Sequence, residues 1–273
     1  MNRSRCILLF CFFYHGVIFS QDTIKDKGEI KVNKAYIKSY FLDARDIIVA
    51  PINLRTKQCL KISAFAGATA ALMSWGDKPI KEFATNHRSN FGDGFFLFGA
   101  EHWGDGMYSM PLMASFYIVG KIRHDDRAVK TAMVGVKTFV ITALMVSIPK
   151  ELFHRQRPHN TDDPLLFHGP FSGLFKDQNR SFPSGHSMSA FAMATVIASE
   201  YKEYKIVPVV AYSLASLTAL SRVYFEKHWS SDILVGSAFG YVMARIIHQK
   251  NNWNISPFYS NTVSGLSVKI PIE

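Results

Sequence analysis

Residues 183–199 read PSGHSMSAFAMATVIAS. The proline and glycine at the start of this stretch favour a turn, and the apolar side chains after them recur at helical spacing. A helix that begins directly after a turn has backbone N–H groups without intrahelical acceptors, and an oxyanion can bind there. We therefore expect the amides of Ser184, Gly185 and His186 to be available to a phosphate group. The alternative is an ordinary capped helix start, with Ser184 or Ser187 as the cap.

Helical spacing recurs in further blocks on both sides of this stretch. The sequence therefore predicts an all-α fold, a helical bundle of about six core helices with the active site at helix ends. Beyond the bundle, Ser264–Ile272 alternates weakly as a strand does, and it could form one edge strand or none. The helical blocks are Cys59–Trp75, Met107–Val119, Arg127–Phe153, His186–Tyr201, Ile206–Phe225 and Ser230–Ile247.

Residues 1–20 have the layout of a secretory signal peptide, because Arg3 and Arg5 precede the apolar run Cys6–Phe19. An uncleaved membrane anchor is the alternative, although it would need about 20 apolar residues. Lipidation at Cys11 is less favoured, since a bulky phenylalanine precedes it. The remaining chain is interpreted as a polar lead segment (21–56), one catalytic domain (57–249) and a C-terminal tail (250–273).

The chain of 273 residues carries a formal net charge of +10, and loss of the signal peptide would remove two of these positive charges. A basic surface suits phosphorylated molecules or anionic lipid headgroups, and nucleic acid is not expected as a partner of an exported protein. Apart from Ser181–Ser199, which begins with polar residues, no block reaches about 18 residues without a charged side chain. We expect a periplasmic bundle that can contact a membrane surface, with an integral membrane protein as the alternative.

A second informative segment, residues 150–158, reads KELFHRQRP. Lys150 and Arg157 are seven residues apart, about two helical turns, so both side chains are predicted to leave one helix face. The residue before a proline is disfavoured in helical geometry, so the helix should end at Pro158. Two cations at a helix end can hold a phosphate dianion, although such a pair can also be a solvated surface.

The third segment, residues 221–232, reads SRVYFEKHWSSD. If the chain is helical from His228, Asp232 lies one turn further on the same face. Its carboxylate could accept a hydrogen bond from one ring nitrogen and leave the other unprotonated and nucleophilic. Arg222 adds a cation. A structural contact on a helix surface is the alternative for the histidine and aspartate.

Taken in order, these segments form a three-part signature, K-x6-RP at 150–158, PSGH at 183–186 and SR-x5-H-x3-D at 221–232. The signature resembles that of the type 2 phosphatidic acid phosphatase and vanadium haloperoxidase superfamily, over roughly residues 60–249. The resemblance implies that His228 is the nucleophile, that Asp232 orients it, and that His186 protonates the leaving group. It also implies that phosphate is held by Lys150, Arg157, Ser184, Gly185 and Arg222.

The resemblance implies a metal-independent phosphatase without a cofactor. It would hydrolyse a phosphomonoester or diphosphate, with a lipid phosphate as the expected substrate, through a phosphohistidine. The alternatives are a vanadium-dependent haloperoxidase and a soluble periplasmic nonspecific acid phosphatase. A glycine-rich loop with Glu101, His102, Trp103 and Asp105 could line the site entrance, or could be only a polar turn.

Overall fold

The computed structural model describes residues 33–53, 55–170, 172, 177–251, 254–259 and 264–269. The expected signal peptide lies outside these residues. The described part is mainly helical and ends in a β-hairpin. In chain order its helices are α1 (Lys34–Val49), α2 (Thr56–Ala71), α3 (Asp77–Asn86), α4 (Asn90–Gly94), α5 (Ser109–Arg123), α6 (Asp126–Met145), α7 (Ser147–Phe153), α8 (Gly185–Glu200), α9 (Ile206–Tyr224) and α10 (Ser230–Asn251).

The all-α prediction is confirmed. The six apolar blocks correspond to α2, α5, the pair α6 and α7, α8, α9 and α10. Helices α1, α3 and α4 lie outside those blocks, and a π-helical turn at Leu72–Gly76 connects α2 to α3. The helical periodicity of apolar residues was therefore sufficient to locate the core helices.

Helix α8 is the centre of the bundle and packs against α6, α9 and α10. Most of its side chains are small or apolar, and its buried alanines and serines let neighbouring helices approach closely. Two glycines of α10 permit the closest approach. A Cβ atom on Gly240 would lie 2.1 Å from the backbone oxygen of Met188, and one on Gly236 would lie 2.4 Å from that of Ser184.

The expectation that Lys150 and Arg157 share one helix face is wrong. Helix α7 ends at Phe153, because His154 adopts a left-handed conformation with φ of 44°. Arg155 then forms an isolated β-bridge with Phe167, and Arg157 has extended backbone geometry. The segment therefore turns inward before the proline, and its two cations reach the same region from a helix and from a loop.

The count of charge-free residues left every block except Ser181–Ser199 too short for a membrane span, but the length and composition of the helices give a different result. Two helical segments, Asp126–Phe153 and Ile206–Tyr224, are sufficiently long and apolar. The count from the sequence stops at every charged residue. Asp126–Phe153 contains the fully buried Lys137 among apolar residues, so the count divides this segment. Length and composition alone do not separate such a helix from a buried core helix, and half of the Asp126–Phe153 window is buried within the protein.

Lys137 also connects α1 to the bundle. Its ammonium nitrogen lies 2.6 Å from Asp43 Oδ2 of α1, and it donates to Ser39 Oγ at 3.1 Å and to Asn251 Oδ1 at 3.0 Å. Because an unpaired buried charge is costly, this network holds α1 against α6 and α10.

The last described residues form a two-stranded antiparallel hairpin of β1 (Asn254–Tyr259) and β2 (Ser264–Lys269). Strand β2 falls within the stretch whose alternation allowed a strand. It pairs with β1, which the sequence analysis did not identify.

Candidate active site

The predicted site residues lie around the first turn of α8. The ammonium of Lys150, in the middle of α7, would lie 3.8 Å from a Cβ atom on Gly185. The charges of Lys150, Arg157 and Arg222 all act on His186. Lys150 and Arg157 also act on His228, which precedes α10. The fold thus brings the three segments of the signature to one place.

His228 is buried, and its ring is held by the backbone. Its Nδ1 lies 2.6 Å from the carbonyl oxygen of Ser181 and 3.8 Å from Asp232 Oδ2. The expected direct hydrogen bond to Asp232 is therefore replaced by one to a carbonyl. A carbonyl can only accept, so Nδ1 carries the proton and Nε2 is left with its lone pair. Burial lowers the pKa of His228 to about 3, which keeps the ring neutral.

Asp232 stands behind this pair. Its Oδ2 accepts hydrogen bonds from Ser181 Oγ at 2.5 Å and from the Trp229 amide at 2.9 Å. Burial acts to raise the pKa of Asp232, but the Arg155 guanidinium and the hydrogen bonds outweigh it and hold the pKa below its ordinary value. Asp232 is therefore an ionised group that fixes Ser181, which in turn holds His228.

His186 lies in the first turn of α8, and the glycine-rich loop covers it. A Cβ atom on Gly104 would lie 2.8 Å from the Cβ atom of His186, so the loop packs directly on His186. Burial first, and then the charge of Arg222, lower the pKa of His186 to about 3, while the charge of Asp105 opposes them. In the absence of an anion, His186 is therefore neutral.

Carboxylates are paired with two of the three predicted clamp cations. The Nη1 of Arg222 bonds to Glu101, and its buried Nε has no hydrogen-bond partner in the described part of the chain. Arg157 donates from Nε to the Asp177 carbonyl at 2.9 Å and from Nη2 to its carboxylate at 2.7 Å. A phosphate group entering the site would compete with these carboxylates for the guanidinium groups.

The predicted set of free amides needs a correction. Ser184 is the N-cap of α8, and its own amide donates to the carbonyl of Asp232 at 3.1 Å. Its hydroxyl accepts from the amide and the hydroxyl of Ser187. Gly185 and His186 are the first residues of the helix, so their amides have no intrahelical acceptor. The predicted anion-binding part of the turn is therefore reduced to these two residues.

Other residues of the site were missed or passed over. Glu101 was considered, and the glycine-rich loop around it was the available signal. Arg155 lies inside the spacer between Lys150 and Arg157, where its charge gave no separate indication. Ser181 acts through its backbone carbonyl, which every residue type offers. Asp77 is far from the signature in sequence and had no signal.

A family model described as the PAP2 superfamily matches residues 131–256. The chain is 34% identical over 103 residues to a lipid A 1-phosphatase of Porphyromonas gingivalis, an alignment that covers 37% of this chain and only 20% of that relative. It is also 30% identical to a decaprenylphosphoryl-5-phosphoribose phosphatase of Mycobacterium tuberculosis, with 55% of this chain and 75% of the relative covered.

Among solved structures, the fold is similar to a transmembrane PAP2-type phosphatidylglycerolphosphate phosphatase of Bacillus subtilis. The TM-score is 0.49 and the sequence identity is 22%, with 78% of this chain and 92% of that chain covered.

Proposed function

We propose that this chain, which belongs to the PAP2 superfamily, hydrolyses a phosphomonoester or diphosphate of a lipid through a phosphohistidine on His228. The observation that carries the proposal is the state of that ring. Its Nδ1 donates to the Ser181 carbonyl at 2.6 Å, so the neutral Nε2 is available as a nucleophile within electrostatic reach of Lys150 and Arg157.

In the first step, Nε2 of His228 attacks the phosphorus atom, and the bond between phosphorus and the leaving oxygen breaks. The proton that the leaving alkoxide needs would come from His186. His186 is neutral in the empty site because burial and neighbouring cations lower its pKa to about 3. A bound phosphate dianion offsets those cations, so the substrate itself would raise the proton affinity of His186.

In the second step, His186 takes a proton from a water molecule, whose oxygen attacks the phosphorus of the phosphohistidine. The bond between phosphorus and Nε2 breaks, which releases inorganic phosphate and restores the His228 ring. Microscopic reversibility supports the same residue as acid and base.

Charge neutralisation is assigned to Lys150, Arg157 and Arg222, with the amides of Gly185 and His186. Phosphoryl transfer depends mainly on positioning and on stabilising the charge of the equatorial oxygens. The buried Nε of Arg222, which has no hydrogen-bond partner among the described residues, supports a place for one such oxygen. Since three fixed cations supply the charge, we propose that turnover needs no metal ion.

A lipid substrate is supported by the names of the relatives, which describe phosphatases of lipid A and of a decaprenyl-linked sugar phosphate. Exposed apolar side chains support membrane association as well. Ile206 and Val209 at the start of α9 and Ile122 at the end of α5 are each at least 60% exposed. Placement of the site on the periplasmic side, after removal of residues 1–20, is part of the proposal.

The test is a screen of the purified protein against phosphatidate, phosphatidylglycerol phosphate, undecaprenyl diphosphate, lipid A and p-nitrophenyl phosphate. We expect turnover of at least one lipid, persistence of activity in excess EDTA, and inhibition by vanadate. Loss of activity in EDTA that a divalent metal restores would contradict the mechanism. Activity confined to water-soluble esters would contradict the lipid assignment.

A further inference from the structure

Arg155 is a fully buried cation that the proposed mechanism does not use. Its guanidinium donates to Asp232 Oδ1 from Nη1 and to Asp77 Oδ2 from Nη2 at 2.7 Å. The remaining donors bond to Ser231 Oγ and to the carbonyl of Pro164. An arginine has five N–H donors, and all of them have acceptors here, so none is left for a substrate.

Asp77, at the start of α3, completes this arrangement from the opposite side. Its carboxylate accepts from the Ser231 amide at 2.8 Å and from the hydroxyls of Ser230 and Ser231 at 2.5 Å. These serines begin the first turn of α10, and only Trp229 separates them from His228. The side chains of Asp77, Arg155 and Asp232 are all fully buried.

The three charged groups form a chain of contacts that leads to the proposed nucleophile, His228. Asp232 fixes Ser181, whose carbonyl accepts from His228 Nδ1, and Arg155 fixes Asp232. Compared with well-packed apolar residues, buried ion pairs often give no net stability, so stability alone is a weak explanation for the trio. Its position behind the His228 ring points to a role in the reaction.

We propose that Arg155 and Asp77 are positioning residues that set, through Asp232, the orientation of the His228 ring and the net charge behind it. This inference rests on the proposed function, in which His228 attacks phosphorus. With all three groups ionised, the trio carries one net negative charge.

The sign of the effect on His228 follows from the charges that face it. Burial lowers its pKa most, Asp232 raises it, and Lys150 and Arg157 lower it. Asp77→Asn takes the trio to zero net charge, so protonated His228 is stabilised less. Arg155→Gln leaves two negative charges, so protonated His228 is stabilised more.

The experiment measures kcat and KM for p-nitrophenyl phosphate, and the inhibition constant of inorganic phosphate, across pH. We expect Asp77→Asn to lower kcat by roughly 10- to 100-fold, because the ring loses its fixed orientation, with phosphate inhibition within about 2-fold of wild type. The acid limb of the kcat profile should move to lower pH in Asp77→Asn and to higher pH in Arg155→Gln. If Arg155→Gln does not fold, Asp77→Asn carries the test.

Asp43→Asn is the matched control, because Asp43 is also a buried aspartate paired with a fully buried cation, Lys137. It should lower stability while kcat per folded molecule and the pH profile stay as in wild type. Equal losses of kcat in Asp43→Asn and Asp77→Asn, or an unchanged acid limb in Asp77→Asn, would overturn the inference. His228→Ala is measured in parallel. If this variant retains turnover, the phosphohistidine proposal itself fails. If it is inactive while Asp77→Asn is fully active, only the proposed role of the trio is overturned.

Discussion

Replacing Gly236 by alanine should separate activity from stability at this site. Gly236 lies in α10 and packs on the peptide of Ser184, the N-cap of α8. An added Cβ would lie 2.4 Å from the Ser184 oxygen, whereas ordinary contact begins near 3.4 Å, so the two must separate by about 1 Å. This displacement moves the turn that presents the amides of Gly185 and His186.

A misplacement of about 1 Å can lower the rate of an oriented reaction by roughly 100-fold. The cost in stability is smaller. Overpacking typically destabilises by about 1–3 kcal/mol, and the higher helix propensity of alanine offsets about 1 kcal/mol of this. A domain with a free energy of unfolding of about 5–15 kcal/mol stays folded under these conditions. Gly236→Ala should therefore be a folded protein with a kcat/KM near 1% of wild type.

The assay is hydrolysis of p-nitrophenyl phosphate, normalised to the folded fraction from urea unfolding. Gly67→Ala is the first control, since no described atom apart from its neighbours and its own helix backbone lies within 4 Å of a Cβ there, and it should keep full activity. Gly240→Ala is the second, because its Cβ would lie 2.1 Å from the Met188 oxygen, one turn further from the site. It should lose as much stability as Gly236→Ala but less activity. A kcat/KM of Gly236→Ala within about 3-fold of wild type would refute the reasoning.

Three further predictions concern the histidines. His228→Ala should abolish both turnover and acid-labile labelling by phosphate, whereas His186→Ala should still be labelled by a substrate with a good leaving group; label retained in His228→Ala would show that another residue attacks. Inorganic phosphate should raise the pKa of His186 from its value of about 3, because the dianion offsets the cations that lower it; an NMR titration of the ring that shows no upward shift would contradict this. The free energy of unfolding should fall as pH drops from about 6.5 towards 3, because both rings bind protons more weakly in the folded state; denaturant unfolding of the double His→Asn variant should show a shallower fall.

The fold, and the grouping of the candidate site residues in one place, were largely predictable for a physical reason. Core helices repeat apolar residues at the helical period, so blocks such as Ile206–Phe225 were recognisable from the sequence, and α9 spans Ile206–Tyr224. The residues predicted to hold phosphate are charged or lie at a helix start. Both properties can be recognised from a short segment of sequence. The structure brings Lys150, Arg157 and Arg222 within electrostatic reach of His186.

Local rules failed where tertiary contacts decide the backbone. The proline rule placed the end of α7 at Pro158, but the helix ends earlier, at Phe153. Continuing the helix would carry Arg155 along its axis, away from the two buried carboxylates to which it now donates. The left-handed residue at His154 permits the turn that brings Arg155 inward. The local sequence of this segment cannot indicate the turn, because the carboxylates that bind Arg155 belong to Asp77 and Asp232 elsewhere in the chain.

A sequence motif records residue types. It therefore identifies side chains that are proposed to touch the substrate better than it identifies the contacts that support the proposed nucleophile. The signature names His228 and Asp232, and the geometry inserts a backbone carbonyl, that of Ser181, between them. Every residue type has a carbonyl, so the contact between the Ser181 carbonyl and His228 cannot be recognised from residue types. The contact depends on Asp232 only because Asp232 accepts a hydrogen bond from the Ser181 hydroxyl. The charge of Asp232 is in turn balanced by Arg155, which stands in an unspecified position of the first segment. A chain could therefore carry the complete signature and still have a His228 ring of different orientation and basicity. Under the proposed mechanism, the signature indicates the reaction, and the buried charges behind His228 set its rate.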